Sequence, residues 1–314
     1  MARTSAKRRV PARGRAAGRP APRRSATRRR RPGNAVWLLA TVVAVVAVVA
    51  VTASRGGGGG EQAASSSGGF VGGDLHSLVV DPTTPGRLFI GGHDAVSASA
   101  DGGRTWSRVE SLNGADAMGW AFAAQAVYVS GHPGISRSSD GATVFRRAND
   151  GLPDTDVHAF GAGGSTLYAG GPALGVIAST DGGRTWDART SDAGQAFFGR
   201  ILTGPGDDQH LVGADARSGA TESTDGGRTW HTLGGPPSAV WVSRSGSTLY
   251  VSGPEGAASS PDGGKTWEEM ALPAGASLVE ADPNDPAVVY TGIHDGVAAQ
   301  VMVSRDGGVR WGHP

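Results

Sequence analysis

The chain of 314 residues contains no cysteine. This absence excludes disulfide scaffolds, thiolate metal sites, cysteine nucleophiles and lipoprotein anchors. Aromatic residues make up only 6% of the chain, so large aromatic side chains are few. Glycine is abundant, with 52 residues, but it has no three-residue period, and this excludes a collagen-like structure.

The charged residues are segregated along the chain. Residues 1–34 contain 13 basic and no acidic residues, so the rest of the chain has 29 − 13 = 16 basic residues against 28 acidic ones, a balance of −12. An uncharged apolar run separates the two parts, which argues against a nucleic-acid-binding protein. We predict that residues 1–34 form a disordered basic arm, because they contain four prolines and little apolar surface. The arm could bind anionic lipid head groups or act only as a topology signal.

Residues 35–54 (AVWLLATVVAVVAVVAVTAS) contain no charge. Twenty apolar residues suffice for a helix to cross a hydrocarbon core of about 30 Å, so we predict one transmembrane helix here. Arginines cluster before this run, which places the basic arm in the cytoplasm and the rest of the chain outside it. The alternative is a signal peptide cleaved near Ala53, which would give a secreted protein. Residues 55–73 are rich in glycine and serine and are predicted to be a flexible linker.

A unit of about forty residues repeats six times from residue 74 to residue 314. Its most regular part reads Ser-x-Asp-x-Gly-x-Thr-Trp, and its aspartates follow one another at spacings of 39, 41, 44, 37 and 44 residues. Short strands bounded by Gly, Pro and Asp fill the remainder of each unit. This period matches one four-stranded propeller blade. The sequence therefore predicts an all-β, six-bladed β-propeller over residues 74–314, preceded by the transmembrane helix.

Ring closure has two possible forms, because Trp311 lies three residues from the end of the sequence. Either the last outer strand is short, or linker residues near Phe70 and Val71 complete the last sheet.

The repeated motif predicts a hairpin corner. Asp and Ser side chains accept hydrogen bonds from the backbone of their own turn, and glycine permits positive φ. The tryptophan is expected to fill space within the packed sheets. The motif residues are Asp101, Trp106, Asp140, Asp181, Trp186, Asp225, Trp230, Asp262, Trp267, Asp306 and Trp311.

This motif resembles the Asp-box, or BNR repeat, of sialidase-like, sortilin-type and photosystem-assembly propellers. Four copies are complete, whereas those at 138–145 and 304–311 depart from the pattern. The resemblance covers about residues 74–314 and implies a propeller whose Asp-boxes lie on the rim away from the ligand face. The fold by itself leaves the activity open.

The resemblance implies what a sialidase-like site would need. Three arginines would hold the substrate carboxylate, a Glu would activate a Tyr nucleophile, and an Asp would act as the acid/base. Here the four tyrosines occupy one recurring second-strand position, so packing is the better interpretation of them. Arg200 and Arg217 are the arginines left for the ligand face, and they do not make a triad. Other glycosidases need only two carboxylates about 5 to 10 Å apart. An exo-glycosidase of the exo-alpha-sialidase type therefore remains the alternative function.

Histidines concentrate on the predicted rim opposite the Asp-boxes. Four residues after the second-strand aromatic or its equivalent, the first, second and sixth repeats carry a histidine, and the fourth repeat carries Asp215. The entrances of the first three inner strands read Asp-x-His, Asp-x-Met and Asp-x-His. Side chains two residues apart share one face of a strand, so each Asp is expected beside its own His or Met, as carboxylates stand beside metal-bound imidazoles. The residues in these positions are Asp74, His76, His93, Asp116, Met118, His132, Asp156, His158 and His294.

This rim supports three hypotheses. The first hypothesis is a metal site, because imidazole with a thioether favours copper and imidazole with carboxylate suits zinc. The rim residues could instead be polar turn and strand-capping residues. The third is a carbohydrate, peptide or protein pocket with Trp120, Phe160 and Trp241 as stacking surfaces, and the alternative for these three aromatics is a place in the blade core. The function predicted is a membrane-anchored, extracytoplasmic ligand-binding or interaction module.

Overall fold

The computed structural model describes residues 68–314. This part of the chain is all-β apart from one turn of 3-10 helix, Glu110–Leu112. No helix within residues 68–314 is long and apolar enough to cross a membrane. The predicted basic arm, transmembrane helix and most of the linker fall at residues 1–67, outside the described residues.

Twenty-four strands form meanders of neighbouring antiparallel strands, which we number as units 1 to 6. Unit 1 consists of β2 (Leu75–Val80), β3 (Leu88–Gly92), β4 (Val96–Ser99) and β5 (Ser107–Arg108). Unit 2 consists of β6 (Asp116–Ala123), β7 (Ala126–His132), β8 (Gly134–Ser138) and β9 (Arg146–Arg147). Unit 3 consists of β10 (Ala159–Gly163), β11 (Thr166–Gly171), β12 (Gly175–Ser179) and β13 (Asp187–Thr190).

The second half of the chain continues the pattern. Unit 4 consists of β14 (Phe197–Gly204), β15 (Asp207–Asp215), β16 (Gly219–Ser223) and β17 (His231–Gly234). Unit 5 consists of β18 (Trp241–Ser245), β19 (Thr248–Gly253), β20 (Gly256–Ser260) and β21 (Glu268–Met270). Unit 6 consists of β22 (Ala276–Ala281), β23 (Val289–His294), β24 (Ala298–Ser304) and, from the start of the described chain, β1 (Gly69–Phe70).

The first strand of each unit contacts the first strand of the next. β2 contacts β6, β6 contacts β10, and the series continues through β14, β18 and β22 back to β2. Units 3 and 4 share one eight-stranded sheet, because β10 and β14 also pair in parallel at Ala159 and Gly199.

The closing contact joins the two ends of the described chain. β1 pairs antiparallel with β24, with Gly69 opposite Ala299 and Phe70 opposite Ala298. The last sheet therefore takes its fourth strand from residues near Phe70, which were predicted to belong to the linker. Of the two predicted closures, this is the one in which linker residues complete the last sheet.

The recurring aromatic of each second strand is a core residue. Phe89, its equivalent Leu211 in unit 4, and the four tyrosines at this position are all buried. Trp120, Phe160 and Trp241 are buried too, at 1%, 0% and 0% exposure. The hypothesis that these three rings form a stacking surface for a ligand is therefore wrong, and the alternative of a place in the core is confirmed, because the packed sheets bury the rings.

The eight-residue corner from Ser99 to Trp106 shows how the repeated motif holds its turn. The Ser99 hydroxyl donates to Asp101 Oδ1 at 2.8 Å and accepts from the Gly103 backbone N–H at 2.8 Å. The Asp101 carboxylate accepts the Thr105 backbone N–H at 2.9 Å and the Thr105 hydroxyl at 2.6 Å. Trp106 Nε1–H donates to the Gly103 carbonyl at 3.0 Å. One side chain thus satisfies several backbone groups of a tight turn.

The two imperfect corners keep the geometry with other residues. Ala142 occupies the position of Gly103 with a φ of 61°, a left-handed conformation that favours glycine. In the last corner, the Arg310 backbone N–H and side-chain Nε both donate to Asp306 at 2.8 Å, replacing the threonine. The Ser-Asp pair is therefore the part of the motif that both departures retain.

We expect the corners to make folding sensitive to acid. Hydrogen bonds from the residue four places on, together with the corner serine, lower the pKa from 3.8 to about 2 for Asp101, Asp181, Asp262 and Asp306. A depressed pKa in the folded state contributes stability above the unfolded value of 3.8, and that contribution is lost as the pH falls through about 2. Denaturant unfolding between pH 5 and pH 2 should show this loss.

Asp101→Asn is the matched variant for this measurement. It should unfold at a lower denaturant concentration at pH 6 and depend less steeply on pH below 4 than the parent chain. An equal pH slope in both proteins would contradict the assignment of the acid sensitivity to the corners.

Candidate functional site

A β-bulge shapes the start of three inner strands. The register shifts between Leu75 and Ser77 in β2, so His76 is the extra residue. The same shift makes Met118 the extra residue of β6, where it is half-buried, and Ser277 that of β22. His158 takes the corresponding position in unit 3, directly before β10. Bulges bend a strand and re-aim its side chain, which is how this end of the inner strands presents His76.

The histidine-bearing turns lie at the same end. Strands of an antiparallel meander alternate in direction, so the turn between the second and third strands lies opposite the corner between the third and fourth. The corner of unit 1 instead meets the hairpin between β2 and β3, where Gly102 N–H donates to the Gly86 carbonyl at 2.8 Å. We call the opposite end the histidine rim, consisting of Asp74, His76, His93, Asp116, His132, Asp156, His158 and His294.

Asp116 lies at the centre of the histidine rim and contacts three imidazoles. Its Oδ1 is 2.5 Å from His76 Nδ1, and its Oδ2 is 3.2 Å from His132 Nδ1 and 3.5 Å from His93 Nδ1. The carboxylate is only 6% exposed. Burial opposes its ionisation, but the three histidines outweigh burial and lower the pKa of Asp116. Asp116 is therefore a buried carboxylate that joins units 1 and 2.

The expected pairing of each Asp with the residue two places on is correct for unit 3 and wrong for unit 2. Asp156 contacts His158, but Asp116 points its two oxygens at histidines, two of them from unit 1, rather than pairing with Met118. The bulge at Met118 explains the difference, because an extra residue breaks the two-residue alternation of a strand.

The first of two clusters on the rim consists of Asp74, His76 and His93. One ligand atom from each lies within 4.8 Å of the others, and the two imidazole rings meet edge to face at 4.6 Å. His294 of unit 6 is close enough to interact electrostatically with Asp74 and His76, and burial lowers its pKa. Its Nδ1 accepts the Gly296 N–H at 3.3 Å, while its Nε2 is buried with no partner among the described residues.

The second cluster consists of His132, Asp156 and His158. Asp156 Oδ1 lies 2.5 Å from His132 Nε2 and 2.6 Å from His158 Nε2. The His158 ring stacks on Phe198 at 4.8 Å, and its Nδ1 is buried with no partner among the described residues. Burial lowers the pKa of His158, and Asp156 only partly offsets this. Burial therefore favours the neutral form of the packed His158 imidazole.

The remaining predicted ligand-face residues have other partners. Arg200 Nη1 lies 2.8 Å from Glu280 Oε1, and Arg200 is mostly buried. Asp215 accepts the Arg217 backbone N–H at 2.7 Å and lies 3.4 Å from the Arg217 guanidinium, which is 53% exposed. The structure therefore brings Asp215 and Arg217 together as a turn and gives Arg200 a buried partner.

Sequence reasoning missed Glu280, which is completely buried on β22. It accepts hydrogen bonds from Trp241 Nε1 at 3.0 Å and the Val80 backbone N–H at 3.3 Å, besides Arg200. Burial raises its pKa to about 7 against the opposing effect of Arg200.

A signal for Glu280 was present in the register of the repeat. It lies opposite the second-strand aromatic, Tyr290. The matching position in the other five units holds only uncharged residues: Val79, Ala121, Gly161, Thr203 and Ser243. A lone carboxylate in an otherwise uncharged register position marks a residue with a specific partner.

Comparison with known proteins identifies the fold. No protein-family model matches the chain, and no curated protein matches it. Among solved structures, the GH74 xyloglucanase from Xanthomonas campestris is similar at 17% identity over 77% of this chain and 45% of that one, with a TM-score of 0.53. A GH74 enzyme from Niastella koreensis is similar at 18% identity over 77% of this chain and 45% of that one, with a TM-score of 0.55. The chain thus spans less than half the length of these two enzymes.

A third similar structure is YCF48 bound to D1 peptide, at 16% identity with a TM-score of 0.50. The match covers 77% of this chain and 82% of that one, so the two are of comparable extent. Identities this low show the fold alone. The described part of this chain has a β-propeller fold.

Proposed function

We propose that this protein is an extracytoplasmic ligand-binding module, a six-bladed Asp-box propeller that binds its ligand at the histidine rim. The observation that carries the proposal is Asp116, a buried carboxylate that gathers imidazoles from two units at one end of the inner strands. A small number of polar groups that converge on a rigid scaffold is a common feature of binding sites. His132 and Asp156, at 48% and 36% exposure, are accessible there to a ligand.

Six blades are supported by the six four-stranded meanders and by the closed series of contacts among their first strands. The Asp-box assignment is supported by the Ser-Asp hydrogen bonds, which recur in all six corners.

The cellular location proposed is the outer face of a membrane, with residues 35–54 as a single-pass anchor. The charge-free run and the arginines before it support this arrangement. Fractionation of cells producing the full chain tests it, since an anchored protein stays with membranes after an alkaline wash and its propeller is digested by external protease. Release of a shortened protein into the medium would support cleavage near Ala53 instead.

The ligand proposed is a peptide or protein segment. YCF48, which matches this chain over most of both lengths, is a similar structure with a bound peptide. The full chain in detergent should be tested on peptide and glycan arrays in parallel, beside His132→Ala and the exposed-histidine control His231→Ala. We expect peptide signals that the first variant loses and the second keeps. Signals confined to glycans would overturn the assignment of a peptide ligand. Equal signals from all three proteins would overturn the assignment of the binding site to the histidine rim.

The alternative function is an exo-glycosidase. It is favoured by Asp116 and Asp156, two carboxylates that contact the two nitrogens of the same His132 ring, since glycoside hydrolysis uses a pair of carboxylates. A panel of fluorogenic glycosides including a sialoside tests it. Turnover that Asp156→Asn abolishes would establish the enzyme, and no turnover by the folded parent chain would exclude hydrolysis of those substrates.

A further inference from the structure

The inference starts from two imidazoles and one carboxylate that converge at His132, Asp156 and His158, with one ligand atom of each within 4.8 Å of the others. His132 Nδ1 faces Asp116 Oδ2 at 3.2 Å, and His132 Nε2 faces Asp156 Oδ1 at 2.5 Å. A neutral imidazole has one N–H and so can donate to only one of two carboxylates. With the N–H on Nδ1 and donated to Asp116, the Nε2 lone pair faces the Asp156 oxygen, and either a second ring proton or a bound metal ion makes that contact favourable.

The same arrangement is how proteins prepare an imidazole to bind a metal. A carboxylate accepts the N–H of one ring nitrogen, fixes the tautomer and orients the other nitrogen toward the metal. Asp116 stands in this relation to His132, and its burial and its short contact with His76 hold it in place. Asp116 itself is then a positioning residue rather than a ligand.

The other two groups of the second cluster complete a ligand set. His158 Nε2 lies 2.6 Å from the same Asp156 oxygen, so two imidazole nitrogens converge on one carboxylate. Stacking on Phe198 fixes the His158 ring at 4.8 Å. The ring is only 8% exposed, so the protein holds it in one orientation with Nε2 directed at Asp156.

We propose that His132 Nε2, Asp156 Oδ1 and His158 Nε2 bind one zinc ion, with Asp116 orienting His132. Two imidazoles with one carboxylate suit zinc, and three protein ligands leave the fourth tetrahedral position open. The inference rests on the proposed function, since the open position would take a carboxylate or carbonyl oxygen of the bound peptide.

The site needs little movement to accept the ion. Zinc bonds of about 2.0–2.1 Å place neighbouring tetrahedral ligand atoms about 3.3 Å apart. The two nitrogen–oxygen separations, 2.5 and 2.6 Å, must therefore open by less than an ångström, and the two imidazole nitrogens already lie within 4.8 Å of each other. The His132 side chain is 48% exposed, so it can move by this amount and the ion can enter from solvent.

The test is zinc binding by the full, untagged chain in detergent. The protein is first stripped with a chelator and then titrated with zinc by calorimetry, with metal content measured after dialysis. We expect uptake of one zinc ion that depends on the second cluster. His132→Ala and Asp156→Asn should abolish this uptake, and the control His231→Ala should keep it.

Asp116→Asn separates positioning from folding, because an amide carbonyl can still accept one imidazole N–H. This variant should bind zinc about 10- to 100-fold more weakly, as loss of an orienting carboxylate does. Cobalt should also replace its bound zinc faster than it does in the parent chain. Thermal melting of each variant shows that it is folded.

Cobalt substitution identifies the ligand geometry. A cobalt ion held by this set and one further ligand should show the intense visible absorption of four-coordinate cobalt, lost in His132→Ala. No zinc uptake by the folded parent chain, or uptake unchanged in both His132→Ala and Asp156→Asn, would overturn the zinc site. Peptide binding that persists in the chelator-treated protein would, by contrast, leave the proposed function intact while removing the open-position role of the ion.

Discussion

Replacing Glu280 by alanine should destabilise the propeller by about 3–5 kcal/mol, the usual cost of removing one partner of a buried ion pair. Glu280 is completely buried, and its carboxylate accepts hydrogen bonds from Arg200, Trp241 and Val80. These partners belong to units 4, 5 and 1, so a single side chain on unit 6 ties four of the inner strands together. Denaturant unfolding monitored by tryptophan fluorescence measures the loss.

The matched control is the double variant Arg200→Met/Glu280→Leu. It removes both charges together and fills the space with apolar groups, so its cost should be well below that of Glu280→Ala. A Glu280→Ala variant within about 1 kcal/mol of the parent chain would contradict a structural role for this pair, since surface pairs contribute that little.

Glu280 should also give stability a second pH dependence. Burial raises its pKa from 4.5 to about 7. A carboxyl whose pKa is raised in the folded state contributes stability that is full below 4.5 and declines as the pH rises to 7, by a total on the order of 3 kcal/mol. The decline should disappear in Glu280→Gln, which keeps the shape of the side chain without titrating.

Replacing Trp120 by alanine is the second large change, with an expected cost of about 3–5 kcal/mol. The ring is 1% exposed, stacks on Phe89 at a centroid distance of 5.0 Å and meets Phe145 edge to face at 6.2 Å. Its Nε1–H donates to the Ser77 hydroxyl at 2.9 Å. Thermal and denaturant unfolding measure the loss.

Trp120→Phe separates the two contributions of this residue. It keeps an aromatic ring in the core and removes the hydrogen bond, so it should cost clearly less than the alanine variant. Array binding at a temperature where both variants remain folded should match the parent chain, because the ring lies in the core. Selective loss of a ligand signal in a normally folded Trp120→Phe variant would contradict the assignment of Trp120 to packing.

The periodic part of the sequence made the fold predictable. A motif recurring every forty residues requires one structural unit per copy, and the second-strand aromatics, Tyr168 for example, had to be core residues because they recur in register. The same alignment predicts that His93 and His132 lie on one rim, since equivalent positions of equivalent units lie at equivalent places.

The irregular part could not be predicted from the repeat. Bulges at His76 and Met118 depend on how neighbouring strands pair, and they redirected Asp116 from its own strand to the histidines of unit 1. The Arg200–Glu280 contact joins residues 80 positions apart across two units, which no local pattern encodes. Two-residue strands such as β1 carry too little sequence pattern to be recognised before their partner is known.

The central claim is that the histidine rim is the functional face, and a titration of matched variants tests it most directly. The tightest-binding peptide from the array would be titrated by calorimetry against the parent chain, His132→Ala and Lys265→Ala. Lys265 lies in the Asp262 corner of unit 5, at the end opposite the histidine rim, which we call the corner rim. We predict that binding is lost in His132→Ala and unchanged in Lys265→Ala, with all three proteins folded. Unchanged binding in His132→Ala together with loss in Lys265→Ala would contradict the claim and place the ligand on the corner rim.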